Sequence, residues 1–382
     1  MDTVGQNMTV SPRGTYVASP VRLMIYGRGE AYQLPTVLAK LGVSKAFIIT
    51  GNSLATKTPV IKKIEETLGA VHVGTYSSIG QHTPIADIRK ATEKVCESGA
   101  DVLISVGGGS PIDAAKTIVY HLHERIGKWI PSIAVPTTLS VAETTMNAGF
   151  TDDEGHKVAV SHAELVPKAV IYDGDVALHT PIFLFASTGM RAMDHAVELM
   201  YHPSASEVPT KRMALIALSD LFQYLPLCKE KPDDPDLRQA LLLAAYSSLF
   251  PFLNNVSVGL SHSIGHALGS TYGIPHGITS CMTLAPVVHY KADTDPQSAS
   301  QIARIVPFIR KPSTGDITKD AHLVADEIAL LVHKLGFEST LTQYNVPPGE
   351  EIGIASRALG GNEKHKDWKT VEQIVHNLYQ SK

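Results

Sequence analysis

Strand signals stop near Pro181 and do not return, and this asymmetry constrains the fold more than any single motif. Over the first 175 residues, short β-branched runs alternate with helical patterns. Residues 45–50 read as a strand, followed by a turn at Gly51-Asn52-Ser53 and a helix from about 57 to 68. Residues 71–76 read as a second strand, and 84–98 as a helix with Asp87 and Glu93 facing out. A strand at 101–106 runs into three glycines and another helix, and strands at 133–135 and 169–172 complete the set. Strands alternating with helices predict a parallel sheet covered on both faces. Beyond Pro181 come only helical windows, at 183–201, 208–228, 236–250, 258–270, 277–290, 297–308, 320–335 and 367–380. Pro203, Pro226, Pro232, Pro251 and Gly336 separate them. The expected architecture is an α/β domain over 1–178 and an all-helical domain over 179–382, with a ligand cleft between them.

Composition narrows the class. Hydrophobic residues make up 44% of the 382 and charged residues 18%, enough for a large core and unlike a disordered chain. The balance of 33 Lys+Arg against 37 Asp+Glu leaves no basic stripe, which argues against a nucleic-acid partner. Cys96, Cys228 and Cys281 are odd in number and far apart, so neither a disulfide framework nor a Cys-rich zinc site is expected. Residues 1–22 lack the apolar core of a secretory signal. The longest apolar stretch, about 241–253, is broken by Tyr246, Ser247, Ser248 and Pro251, short of the ~20 residues of a membrane span. A soluble cytoplasmic protein with no membrane partner is the expectation.

Two turns and a histidine set carry the chemistry. Gly107-Gly108-Gly109-Ser110 follows a predicted strand and opens a predicted helix. Glycine lets a pyrophosphate approach the backbone, and the helix N-terminus offers free N–H groups and a positive dipole end. Ser110 is positioned to cap that helix, and Pro111 suits its first turn. Asp113 lies one turn further on. The spacing is not the usual GxGxxG. At the end of an earlier strand, Gly51 and Asn52 stand where an acidic residue would bind the adenosine ribose of NAD, so a barrier to NADP is absent. Among 17 histidines, His262 and His266 share a helix face, His276 follows on a Gly-Ile-Pro turn, and His195 lies on an earlier helix. Four imidazoles from two helices suit a metal site or a proton-transfer site.

These segments resemble the iron-containing (group III) alcohol dehydrogenase superfamily over nearly the whole chain. The turns at 107–113, Pro136-Thr137-Thr138 and Pro275-His276-Gly277 fall in that family's order. The resemblance implies a dehydroquinate synthase-like fold, with a dinucleotide-binding domain, a helical domain and a metal in the cleft. His195, His262 and His276 match three of the family's metal ligands, His266 a further active-site histidine, and Lys157 a lysine near the nicotinamide ribose. The fourth ligand is an aspartate four residues before the first histidine, and Arg191 stands there. Asp194 lies about 100° around the helix from His195 and cannot point the same way. A guanidinium ~4 Å from a divalent ion is repelled by roughly 8 kcal/mol at an effective dielectric of ~20. A bound metal is therefore disfavoured, although three histidines can hold iron or zinc.

The chain resembles in pattern the maleylacetate reductase-like branch, which lacks the metal aspartate. Residues 136–143 lack the Gly-Thr-Gly of the alcohol dehydrogenase type, and 354–362 followed by a short final helix match that branch's ending. The branch carries Asn where this chain has Arg191. The resulting expectation is an NAD(P)H-dependent reductase of a carbonyl, or of an alkene conjugated to one, in a small carboxylated substrate. Arg191, His195, His262, His266 and His276 would be catalytic, and Gly51, Asn52, Gly107, Gly108, Gly109, Ser110, Asp113, Thr137, Thr138 and Lys157 would bind NADP or NAD. A homodimer is expected. The alternatives are an iron- or zinc-dependent alcohol dehydrogenase using His195, His262 and His276, an NAD-dependent lyase of the dehydroquinate synthase type, and a protein that binds the cofactor without turnover. The intact histidine set argues against the last.

The neutral turn at Gly51 yields a test. NADPH should be accepted at least as well as NADH, and Gly51→Asp should shift preference towards NADH by repelling the 2′-phosphate. A kcat/KM more than about tenfold higher with NADH in the parent would contradict this.

Overall fold

The computed structural model describes residues 16–250 and 259–380. Residues 1–15, the end of the apolar stretch at 251–253, Pro251, and residue 258 of the 258–270 window lie outside the described residues. Among the described residues there are eight strands: β1 (Leu23–Tyr26), β2 (Ala46–Thr50), β3 (His72–Tyr76), β4 (Val102–Gly107), β5 (Ser132–Pro136), β6 (Asn147–Thr151), β7 (Lys157–Ser161) and β8 (Ala169–Tyr172). Six of them form one parallel sheet in the order β1-β8-β5-β4-β2-β3. The inner strands β2, β4, β5 and β8 are buried along their whole length. Their side chains alternate between two cores, with Ile48, Ile104 and Ile133 on one face and Ile49 and Leu103 on the other. β6 and β7 pair antiparallel as a separate hairpin.

Helices α1 (Leu34–Leu41), α2 (Asn52–Lys57), α3 (Val60–Leu68), α4 (Ile85–Ser98) and α5 (Gly109–Ile126) cover the sheet, and α6 (Gly174–Ala177) leaves it. The remainder is helical: α7 (Ile182–Tyr201), α8 (Arg212–Glu230), α9 (Pro235–Ser248), α10 (Leu260–Tyr272), α11 (His276–Thr294), α12 (Pro296–Ala303), α13 (Ile317–Leu335), α14 (Glu351–Ala358) and α15 (Trp368–Asn377). No described helix is long and apolar enough to cross a membrane. One core joins the two halves, running from Leu139, Val170 and Tyr172 into α7, α8 and α11. α7 is buried at every position from Phe185 to Met200 except Thr188.

The structure corrects several sequence expectations. Ser110 does not cap α5: the N-cap is Gly108 with no capping side chain, and Ser110 sits inside the first turn. Gly108 takes an extended conformation beside Thr138, so the helix begins before a serine cap could act. Asp87 turns back to accept the Gly80 amide at 3.0 Å instead of facing out. Pro226 does not end a helix but lies within α8, which starts only at Arg212 because Val208 is extended. The window at 297–308 ends as a helix at Ala303. β1, α2, α14 and the β6–β7 hairpin carried no signal in the sequence reading.

The hairpin is held from below by a buried cation. Lys116 of α5 donates from Nζ to the carbonyls of Ala142 (2.5 Å), Thr145 (2.6 Å) and Asn147 (3.1 Å). Burial pulls this amine down to about 8, against the attraction of Asp113 and Glu143. Lys116→Met keeps the volume but leaves buried carbonyls without a donor, each worth about 1–3 kcal/mol. It should lower stability by roughly 2–4 kcal/mol in urea denaturation. A loss under about 1 kcal/mol would mean that the carbonyls find another donor.

Candidate active site

The cofactor-side residues sit on loops at the carboxyl ends of adjacent strands. Gly51 follows β2 and caps α2, Gly107–Gly109 end β4 and open α5, and Thr137 and Thr138 follow β5. Gly107 has a φ of 142°, and a Cβ there would lie 2.9 Å from Pro111, so the turn requires glycine. The Thr137 amide donates to Gly107 O at 2.9 Å, and Thr138 packs over Gly108. The same turn reaches the helical half, where Thr188 Oγ1 of α7 accepts the Leu139 amide at 3.0 Å. Asp113 is hemmed in beneath β6, 3.4 Å from the Gly149 amide. Loss of solvent raises it to about 6 against the pull of Lys116.

The opposite wall is built on α7, α10 and α11. Arg191, Asp194, His195 and Glu198 follow one another along two turns of α7, all buried. His262 meets both acids through one nitrogen: Nδ1 lies 2.8 Å from Glu198 Oε2 and 3.3 Å from Asp194 Oδ1. Ser280 and Ser261 donate to Asp194 Oδ2 at 2.7 and 3.1 Å, and the Ser261 amide donates to Glu198 Oε1 at 2.8 Å. Burial and the Arg191 charge oppose protonation of His262, but the two carboxylates outweigh them and raise its pKa. The His195 and His262 rings are 4.6 Å apart between centroids.

Arg191 occupies the centre. Its Nη2 lies 3.2 Å from His266 Nε2, and its Nη1 is buried without a hydrogen-bond partner. Asp194 Oδ2 is 3.9 Å from Nη1, an ion pair at the limit of contact. The Arg191 charge acts on all four site histidines. The cleft walls and that charge press His266 and His276 down to about 3 and about 2, although His266 opens to solvent on one side. Burial and the neighbouring cations hold His195 well below its usual value. His195 Nδ1, His262 Nε2 and His276 Nδ1 are buried and unpaired. His276 opens α11, a third helix, and its ring lies 5.2 Å from that of His266. Among the described residues, the His/Cys/Asp/Glu group whose ligand atoms all lie within 4.8 Å of one another is Asp194, Glu198 and His262.

Two families of residues join this wall without having been singled out in the sequence. His82, in the loop after β3 with a φ of 61°, sets its ring edge-on to His276 at 6.2 Å, and its carbonyl accepts Lys157 Nζ at 3.3 Å. Lys157 on the hairpin is thereby brought to the histidines, with its pKa lowered by crowding against the attraction of Asp113. The only sequence hint for His82 is its place after a strand. Glu198 and Ser261 hold a site histidine rather than line the cleft, and spacing alone does not mark such a role.

Comparison with known proteins identifies the family. Residues 22–174 match the model for "Iron-containing alcohol dehydrogenase" and residues 185–381 that for "Fe-containing alcohol dehydrogenase family, C-terminal". The chain belongs to the iron-containing alcohol dehydrogenase family. It is 30% identical to a maleylacetate reductase of Sphingobium indicum over 95% of this chain and 96% of that one. It is 31% identical to a 1-propanol dehydrogenase of Citrobacter freundii over 90% and 95%. The solved alcohol dehydrogenase from Oenococcus oeni superposes with a TM-score of 0.86 over 96% of this chain and all of that one at 22% identity. The maleylacetate reductase from Agrobacterium tumefaciens gives 0.80 over 97% and 99% at 23% identity. As a member of this family the chain is an NAD(P)-dependent dehydrogenase or reductase, similar to the maleylacetate reductases.

Placement of His276 depends on the glycine beside it. A Cβ on Gly277 would overlap the Ser187 backbone carbonyl of α7, which cannot swing aside. Gly277→Ala must therefore part α7 from α11, at about 1–3 kcal/mol, and carry His276 away from Arg191. The denaturation midpoint and the NADPH oxidation rate should both fall. An active, fully stable variant would show that the two helices slide freely.

Proposed function

We propose that this enzyme reduces a carbonyl, or an alkene conjugated to a carbonyl, in a small carboxylated substrate, using NADPH or NADH and no resident metal. The observation that carries the reading is the buried Arg191 guanidinium, bonded to His266 by one nitrogen and free at the other among four imidazoles. The family's iron would have to share this space. A divalent ion about 4 Å from a guanidinium is repelled by roughly 8 kcal/mol at an effective dielectric of ~20. Asp194 accepts from Ser280 and Ser261 through Oδ2 and sets Oδ1 3.3 Å from His262 Nδ1, so its charge serves that histidine as well as Arg191 at 3.9 Å. The residues present do not fit the ion.

In this reading Gly107, Gly108, Gly109 and Ser110 cradle the pyrophosphate at the start of α5. Thr137, Thr138, Asp113 and Lys157 border the nicotinamide side, and Gly51 and Asn52 the adenosine ribose. When bound there, the cofactor would supply a hydride to the substrate carbon, which leaves negative charge on the carbonyl oxygen. Arg191 stabilises that oxyanion or grips the substrate carboxylate with its planar fork. His262, whose protonation its two carboxylates favour, supplies the proton that completes the product, and His266 and His276, held neutral, relay it, with His195 packed against His262. The proposal carries with it domains at 1–178 and 179–382 and a homodimer in the cytoplasm. The maleylacetate reductases among the relatives support a carboxylated substrate.

A second reading, a metal-dependent alcohol dehydrogenase, draws on the three unpaired nitrogens of His195, His262 and His276. One set of measurements separates the two. Under the metal-free reading, activity survives exhaustive chelation and Arg191→Ala loses about a hundredfold or more of kcat. Arg191→Asp should bind a divalent ion more tightly than the parent, because an anionic ligand replaces a repelling cation. An active parent that holds stoichiometric iron or zinc, and loses activity with it, would sink the metal-free reading.

A further inference from the structure

Away from the cleft, α11 and α13 present the same His-x3-Asp spacing to one another: His289 and Asp293 on the first, His322 and Asp326 on the second. The pairs cross. His322 Nε2 lies 2.8 Å from Asp293 Oδ1, and His289 Nε2 lies 3.3 Å from Asp326 Oδ1. The two Nδ1 atoms face each other at 2.7 Å.

Counting protons shows what this arrangement demands. To donate to Asp293, His322 carries its hydrogen on Nε2, so its Nδ1 presents a lone pair. A second lone pair cannot sit 2.7 Å away, so His289 must donate from Nδ1. His289 Nε2 then faces the Asp326 carboxylate, which favours a proton there too. Two facing ring nitrogens, each backed by a carboxylate behind the other nitrogen, form a setting for a cation between the helices.

We propose that His289 and His322 form a binding site for a transition-metal dication of the zinc class. On binding, the ion takes the place of the hydrogen between the two Nδ1 atoms. Each Nδ1 lone pair then becomes a ligand, and both Nε2–H groups donate to Asp326 and Asp293. A carboxylate behind the second ring nitrogen is what orients metal-bound imidazoles and raises their basicity. Imidazole nitrogen suits Zn²⁺, Ni²⁺ and Cu²⁺, whereas an all-oxygen ion such as Mg²⁺ has no match here. Two carboxylates balance the charge of the ion. Tetrahedral coordination at ~2.0–2.1 Å needs the nitrogens about 3.3 Å apart, a small opening from 2.7 Å. His289 and His322 are about one-third exposed and both acids more so, which leaves a path for the ion and for water ligands. The bound ion would tie α13 to α11, the helix that begins with His276.

The test uses full-length protein freed of metal by chelation and titrated with Zn²⁺ by calorimetry. The parent and the cleft variant His276→Ala should each bind an equivalent that His289→Ala and His322→Ala both lose. Asp293→Asn should weaken it by about tenfold or more. Zn²⁺ should raise the melting temperature of the parent but not of His322→Ala, with metal-free melting curves establishing that each variant is folded. No bound equivalent in the parent overturns the site. So does an equivalent that survives in His322→Ala, and one lost only in His276→Ala would place the ion in the cleft.

Discussion

Enclosing α7 on every side is the constraint from which the site follows. Between Phe185 and Met200 that helix gives Arg191, Asp194, His195 and Glu198 almost no water. An ionised group in such surroundings costs several kcal/mol unless it is paired. The partners come from the neighbouring helices: His262 and Ser261 from α10 and Ser280 from α11. Meeting them fixes how α10 and α11 must lie against α7. Small residues then allow the approach, as at Gly265, where a Cβ would stand 2.9 Å from Thr279 Oγ1. Polar pairing sets the register of the bundle, and the apolar remainder fills the space around it.

The sheet supplies the complementary half through its strand order. β3, β2, β4 and β5 lie side by side, so the loops after them form one row. That row contains His82, Gly51, the three glycines and the Thr137 turn, an arrangement open α/β sheets use for ligands at their carboxyl edge. The Thr137 turn is the hinge point between halves, because Thr180 Oγ1 donates to its carbonyl at 2.8 Å and Thr188 takes the Leu139 amide. Whatever sits on the glycine turn is thus held at a fixed distance from Arg191.

Sequence patterns disclosed what depends on local periodicity. β2, β4, β5 and β8 are buried on both faces and read as continuous apolar runs, and the helices of the second half carry clear windows. β1 was missed although it is as long as β8, because it is an edge strand, half-buried and with Tyr26 exposed. The hairpin was missed because β7 is largely exposed and draws its position from Lys116 and the 142–147 stretch beneath it. The histidines were legible through their spacing. The double carboxylate clamp on His262 was not, since Asp194, Glu198 and His262 meet only in three dimensions. Pro226 misled for a related reason: a proline's missing N–H and ring bulk mark a helix end only as a tendency, and packing around α8 overrides it.

Formal charge gives the reason why an arginine can stand where the family pattern has a metal-binding aspartate. An aspartate with its divalent ion carries a net +1, and so does an arginine. Replacing the pair by Arg191 leaves the field at the reacting oxygen of the same sign, and the two acids behind His262 experience a similar balance. What changes is the state of the imidazoles. As ligands, His195, His262 and His276 would spend a lone pair each on the ion and could not accept a proton there. With a guanidinium in its place, those nitrogens would keep their lone pairs. On the proposed reading, the residue that excludes the metal therefore also supplies its charge and releases the groups that move the proton.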